Sequence, residues 1–275
     1  MGTILAISSQ VARGHVGLSV VVPALQALGH EVVALPTVIL SNHPGHGAVA
    51  GQRVDAALLS GMLATLDTHG WLAGVDAVLS GYLPSAAHVD VVAEAVARVR
   101  AHRADAAYFC DPVLGDDPKG LYIAEEAGRA LAAKLVPLAD VIFPNRFELA
   151  WLSSQPVTDV ASAENAARAL GSSVTVATSI PATHDVLATV AVSRAGIWTR
   201  VDRKLDDAPN GTGDLLAAVF AGQRVNGCTV ADALEQSVTS VQIGICASLG
   251  RDELNLIAIL SGFQREVSPR MGPLE

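Results

Sequence analysis

Charge is scarce in this chain. Asp, Glu, Lys and Arg make up 16% of the 275 residues, and aromatic residues only 4%. The 18 basic residues are outnumbered by 27 acidic ones, for a net charge of −9. The basic footprint of a nucleic-acid binder is therefore missing, and no nucleic-acid partner is expected. Cysteine is also rare. Cys110, Cys228 and Cys246 are an odd number without ligand-like spacing. They exclude a disulfide framework and a cysteine zinc site, and they fit reduced thiols in a cytoplasmic protein. Long hydrophobic runs are absent although 51% of the residues are hydrophobic. The longest nearly apolar stretch, 16–28, is interrupted by Ser19, Pro23 and Gln26 and falls short of the ~20 residues that cross a bilayer. No basic n-region of a signal peptide precedes it, and Ala6 stands where a myristoylation motif needs Ser or Thr. No membrane association is expected. Two nucleotide signatures, G-x-x-x-x-G-K-[ST] and G-x-G-x-x-G, are missing as well.

What is present is alternation. Short β-branched runs (3–8, 31–40, 76–83, 106–115, 140–145, 173–179) take turns with Ala-rich helical stretches (17–28, 54–69, 88–103, 125–136, 161–170). Val89, Val92, Val96 and Val99 recur at helical spacing as a core stripe. Arg98, Arg100 and Arg103 read as a solvated face of the same helix. Strand after helix, repeated many times, predicts an α/β fold with a doubly wound, mostly parallel central sheet flanked by helices. Segments 187–192 and 196–201 predict a hairpin on one edge, and 210–225 and 230–248 the last two helices. A single domain over 1–275 is the simplest reading, with 265–275 as a tail. A chain of this length can bury a sizeable core unaided.

In such sheets ligands bind beyond the carboxyl ends of the strands. The polar clusters Ser8-Ser9, Ser80-Gly81-Tyr82, Asp111-Pro112, Pro144-Asn145 and Thr178-Ser179 fall at those ends. Asn210-Gly211-Thr212-Gly213-Asp214 opens an apolar helix. The free amides of such a first turn bind anions, and Asp214 beside them suits taking a proton from a hydroxyl that attacks phosphorus. Taken alone, the same residues read equally as an ordinary helix start. Asp111, Asp116, Asn145 and Glu148 offer the hard oxygen donors that Mg²⁺ with a nucleotide phosphate requires. Taken singly, Asp-Pro starts turns and Asn-x-x-Glu caps helices. His43-Pro44-Gly45-His46 lies in a Pro-Gly turn without a third ligand nearby and is not read as a metal pair. Cys110 reads as packing, and His15 as a polar group near a pocket entrance or a satisfied structural histidine.

In their collinear order, GHVG (14–17), SNHPGHG (41–47), SGYL (80–83), CDPVLGD (110–116), PNRFEL (144–149), VATS (176–179) and GTGD (211–214) resemble the pyridoxal kinases of the ribokinase superfamily. The resemblance covers Ile4 to about Ala221. It implies ATP-dependent phosphorylation of the 5′-hydroxyl of pyridoxal, and of pyridoxine and pyridoxamine, with Mg²⁺, a monovalent cation such as K⁺, and a homodimer. Carried over by motif, Asp214 resembles the catalytic base, and the amides of Gly211, Thr212 and Gly213 the anion hole. Asp116 and Glu148 resemble the metal-side acids, supported by Asn145. Asp111, Thr178 and Ser179 match positions near the nucleotide phosphates. Ser9, Thr37, His43 and Tyr82 match positions lining the pyridoxal pocket, and Lys119, Gly120 and Tyr122 a flap over the nucleotide. Two positions depart from the pattern. Gln10 stands where the family has His, and Leu18 where it has Asn, at a dimer face or the pocket rim. Both bear on vitamer preference. A hydroxymethylpyrimidine-type kinase and a non-catalytic pyridoxal-binding pseudo-kinase are the alternatives.

Overall fold

A computed structural model describes residues 1–205 and 208–267. Its strands are β1 (Thr3–Val11), β2 (Glu31–Leu40), β3 (Gly51–Arg53), β4 (Val75–Ser80), β5 (Ala107–Cys110), β6 (Gly115–Asp116), β7 (Gly120–Leu121), β8 (Val141–Ile142), β9 (Val174–Thr183), β10 (Val186–Ser193) and β11 (Ile197–Arg203). Its helices are α1 (Leu18–Ala27), α2 (Ala56–Thr68), α3 (Ala86–His102), α4 (Glu125–Lys134), α5 (Arg146–Ser153), α6 (Val160–Leu170), α7 (Thr212–Val225), α8 (Val230–Ala247) and α9 (Leu256–Val267). Nine strands form one sheet in the order β11-β10-β9-β8-β5-β4-β1-β2-β3, and β6 and β7 form a separate small hairpin. The six strands from β9 to β2 pair in parallel. β3 and the β10–β11 hairpin add antiparallel edges.

From β1 the chain first moves outward to β2, then returns to the other side of β1 as β4 and proceeds to β5, β8 and β9. The strand order therefore reverses between β1 and β4, and a crevice opens there beyond the carboxyl ends. The strands are apolar on both faces, as buried parallel strands must be. In β1, Ile4 and Ala6 pack with α1, α7, α8 and α9, whereas Leu5 and Ile7 pack with α2, α3 and α4. Burying each Leu or Ile contributes about 1.5–3 kcal/mol. Val89, Val92, Val96 and Val99 are all buried in the second core.

Several expectations are corrected. The α3 arginines are not a free solvated face. Arg98 bonds Asp67 at 2.7 Å and Glu94 at 2.8 Å, Arg100 bonds Asp140 at 2.7 Å, and Arg103 pairs with Asp76. They fasten the end of α3 to α2 and to the starts of the strands. Leu18 is only 2% exposed; it belongs to the core and not to a pocket rim or an outer face. α8 is not the last helix: α9 follows it, and residues 265–267 of the expected tail are its final turn, while 268–275 lie outside the described residues. α5, β3 and the β6–β7 hairpin were not expected. β1 continues past Ser8 to Val11 through a register shift between Ser8 and Gln10, and β9 continues past Ser179 to Thr183. Among the described residues no helix is long and apolar enough to cross a membrane.

Candidate active site

The crevice at the reversal point is lined by Ser8, Ser80, Gly81, Asp111 and Asp214 over an apolar floor that includes Val21, Leu79 and Ala217. Its frame is set by hydrogen bonds between strand ends. Tyr82 N–H donates to Ser8 Oγ at 3.1 Å, and Thr37 Oγ1 donates to the Tyr82 carbonyl at 2.7 Å. β1 and β2 thus hold the backbone that carries the Tyr82 ring. Thr37 is fully buried, so its hydroxyl is committed to that hold. Ser80 Oγ is likewise paired with Tyr108 Oη at 2.8 Å. The wall residue of β1 is Ser8, one position before the expected Ser9. Ser9 faces Gly17 instead, with its hydroxyl 2.3 Å from where a Cβ would stand.

Asp214 enters from α7. Gly211 caps that helix at φ +92°, and a Cβ there would lie 1.9 Å from the His15 carbonyl. Only glycine fits, and no side chain occupies the cap. The first amides of α7 are free to meet an anion. Asp214 follows within that turn, with Oδ1 3.9 Å from the Cβ position of Gly81 across the crevice. Burial pushes its carboxyl up to about 6, against the opposing effect of a hydrogen bond from Gly17 N–H. Gln10 bonds Ser19 Oγ at 2.8 Å and the Val11 carbonyl at 3.1 Å, so its amide serves the start of α1.

Asp111 and Glu148 are both buried. Asp111 is pushed well above the carboxylate range by burial and by the negative charges of Glu148 and Asp214. Glu148 closes a capping box with Asn145 at the start of α5. Its Oε1 accepts from Leu114 N–H at 2.7 Å and its Oε2 from Asn145 N–H at 2.9 Å. Burial still pushes it up to about 7. Asn145 Nδ2 donates to the Gly115 carbonyl at 2.8 Å, which ties the β6–β7 hairpin to α5, and Arg146 pairs with Asp117 of the same hairpin. Asp116, Lys119, Gly120 and Tyr122 stand on or beside this hairpin. Asp116 Oδ1 accepts from Asp117 N–H at 2.8 Å. Thr178 N–H bonds the Pro144 carbonyl at 3.0 Å, and exposed Ser179 has φ +58° in the irregular part of β9. His43 Nδ1 accepts from Gly45 N–H at 3.1 Å. Burial lowers the pKa of its ring, and the nearby charges of His46 and Lys119 lower it further.

The fold thus gathers Ser8, Ser80, Gly81, Asp111 and Asp214 on one crevice. Asp116 and Glu148 do not form a closed metal cage: among the described residues no group of three or more His, Cys, Asp or Glu side chains could hold a metal by itself. The donor chemistry nevertheless fits a hard cation that keeps waters and phosphate oxygens. Asp111 and Glu148 are buried and Asp214 is half-buried; these acids are opposed only by backbone N–H groups, and two of them raise the pKa of the third.

A family profile described as phosphomethylpyrimidine kinase matches residues 23–255. A protein of Leifsonia xyli named pyridoxal kinase PdxY is 39% identical over 263 residues, covering 92% of this chain and 93% of that one. Its namesake in Corynebacterium diphtheriae is 36% identical over 264 residues, covering 94% and 93%. The solved structure of a pyridoxal kinase from Leishmania donovani in complex with ADP and pyridoxamine has a TM-score of 0.90, 31% identity and 96% coverage of both chains.

Proposed function

The chain belongs to the family of phosphomethylpyrimidine and pyridoxal kinases, and we propose that it transfers the γ-phosphoryl group of ATP to the 5′-hydroxymethyl group of pyridoxal, and of pyridoxine and pyridoxamine. The observation that carries the reading is Asp214. It is a carboxylate raised to about 6, facing the crevice next to the free amides of a helix start. A base poised near neutrality beside an anion site is the machinery for phosphorylating an alcohol. The relatives named as pyridoxal kinases and the ADP-bound and pyridoxamine-bound structure support the substrates.

The 5′-hydroxyl donates its proton to Asp214. Its oxygen bonds the γ-phosphorus as the bond to the β–γ bridging oxygen breaks, and ADP leaves. The Gly211, Thr212 and Gly213 amides hold the charge that develops on the transferred group. Tyr82 offers an aromatic face to the pyridine ring. The β6–β7 hairpin, with Lys119 and Tyr122, covers the nucleotide. Asp111 and Glu148, with Asp116 acting through water, would hold Mg²⁺, which when bound neutralises phosphate charge. An acidic rim of this kind also supports a K⁺ ion there. An apolar groove of about 550 Å³ between β2 and α2, lined by Val33, Leu35, Leu58, Met62 and Leu66, supports a homodimer. Three free thiols support a reducing, cytoplasmic setting.

The test is formation of pyridoxal 5′-phosphate, followed by absorbance, with pyridoxal, MgATP and K⁺. Formation that disappears in Asp214→Ala is the expected result. Faster turnover of hydroxymethylpyrimidine overturns the choice of substrate. Pyridoxal binding without ATP consumption overturns the enzyme reading.

A further inference from the structure

Glu253 belongs to none of the elements assigned above. It lies in the connection between α8 and α9 and precedes Leu254, which is only 1% exposed and anchors that connection in the core. The turn is fixed further by Asn255, whose N–H donates to Ser248 Oγ at 2.7 Å and whose Nδ2 donates to the Ala247 carbonyl at 3.2 Å. The Glu253 side chain is 13% exposed. Its Oε1 lies 2.9 Å from His46 Nε2 and 3.5 Å from Arg13 Nη1. That oxygen is buried without a well-directed hydrogen bond; it meets the Arg13 guanidinium as a charge and the His46 ring by close approach. Its carboxylate also presses on Gly14, where φ is +101° and a Cβ would lie 2.6 Å from each oxygen. Its contact with Gly14 is one of shape.

Both loops that meet this carboxylate reach the start of α7: on the 41–47 loop, the Cβ position of Gly45 lies 3.6 Å from Asn210 Nδ2. His46 closes the turn that begins at His43. Gly14 opens the segment that places the His15 carbonyl against Gly211 and the Gly17 N–H on Asp214. Arg13 is held a second time, by Asp252 at 2.8 Å.

We propose that Glu253 is a positioning residue, whose close contact with the His46 ring holds the 41–47 loop, and His43 with it, against the start of α7 at the substrate crevice. Its kinetic consequence rests on the reading of that crevice as a vitamer phosphorylation site; its structural consequence does not. Gln at 253 keeps the shape that seats Gly14 and removes the carboxylate that His46 and Arg13 approach. Glu253→Gln is therefore expected to raise KM for pyridoxal by roughly twofold to fivefold, the scale of a partly exposed ionic contact. The kcat is expected to stay within about twofold, since interactions uniform to ground and transition state act on KM. Glu253→Ala also loses the Gly14 seat and lowers kcat.

The experiment measures kcat and KM in wild type, Glu253→Gln, His46→Ala and the double variant, with amide hydrogen exchange over 41–47 in the same proteins. The double variant is expected to match either single one, as residues on one contact do. Exchange over 41–47 is expected to quicken severalfold in Glu253→Gln, with α3 unchanged. Independent, multiplying effects on KM, or unaltered exchange over 41–47, overturn the proposal. A lowered melting temperature with an unaltered KM overturns it too. If the wild type does not phosphorylate pyridoxal, the functional reading falls, and the exchange measurement alone decides for or against the hold on the loop.

Discussion

Asp76 and Asp140 stand where β4 and β8 begin; Asp111 stands where β5 ends, and Glu148 and Asp214 face the same rim from α5 and α7. At the amino ends, Asp76 accepts from Thr3 N–H at 2.7 Å and pairs with Arg103. Asp140 accepts from Tyr108 N–H at 2.8 Å and from Arg100 at 2.7 Å. Each of these acids joins two strand starts and answers an arginine at the end of α3. At the carboxyl ends, the acids meet backbone amides and one another, and their pKa values rise. One rim of the sheet is electrostatically closed. The other is left short of positive charge, which is the condition for taking up a nucleotide with its cation. Stability and function are thus placed at opposite ends of the same strands.

The largest break in this contrast is Asp214→Asn. It removes the base but leaves a residue that burial does not penalise, so kcat for pyridoxal phosphorylation is expected to fall by roughly 10²–10⁴-fold. Its melting temperature is expected to hold or rise. Asp76→Ala is the opposite case. It strands the Thr3 N–H and Arg103, and is expected to cost about 1–3 kcal/mol in urea unfolding with KM for pyridoxal unchanged.

Asp111→Asn sharpens the contrast through pH. The folded Asp111 keeps its proton at pH values where the unfolded chain has already lost it. The folded state is therefore penalised progressively as pH rises from the unfolded value near ~4. The Asn variant is expected to match wild type in thermal melts near that pH and to exceed it increasingly as pH rises toward about 8, while losing activity. His30 works in the other sense, next to the start of β2. Its Nδ1 accepts from Gly2 N–H at 3.2 Å, its Nε2 bonds the Gly222 carbonyl at 3.0 Å, and burial lowers its pKa. Its neutral form is the folded one, so its contribution is full above the unfolded value of ~6.5 and is lost as pH falls below it. His30→Gln is expected to flatten that acid-side loss, a small change in melting curves at about pH 5.

The parallel body of the sheet could be read from the chain because each buried strand is a short apolar run and each helix an Ala-rich or Val-striped stretch. The missed elements lacked those signals. α5 has eight residues, and its Asn145–Glu148 box reads equally as a cap in a loop. α9 follows a turn dense in charge, Arg251-Asp252-Glu253. β6 and β7 have two residues each and exist only because Gly115 and Leu121 pair across a turn. At the site, Asp111 and Asp214 could be found because their motifs stand in one collinear order with the others; singly, each reads as a turn or a helix start. Thr37 could be found as a position but not as a hydrogen bond, since its partner is a carbonyl just past the end of another strand. Glu253 could not be found at all, because its meaning depends on two loops that are distant in sequence.

Cys110 closes β5 immediately before Asp111, fully buried, with its thiol pushed up to about 12 by burial. Such a thiol forms almost no thiolate at neutral pH. Cys246 is exposed and Cys228 partly so, and a chemist adding an alkylating reagent labels those two while the fold is intact. Cys110 reacts only in molecules that have opened the strand holding Asp111. The protein thus carries its own clock for the breathing of that strand, and mass spectrometry can read it one chain at a time without any inserted label.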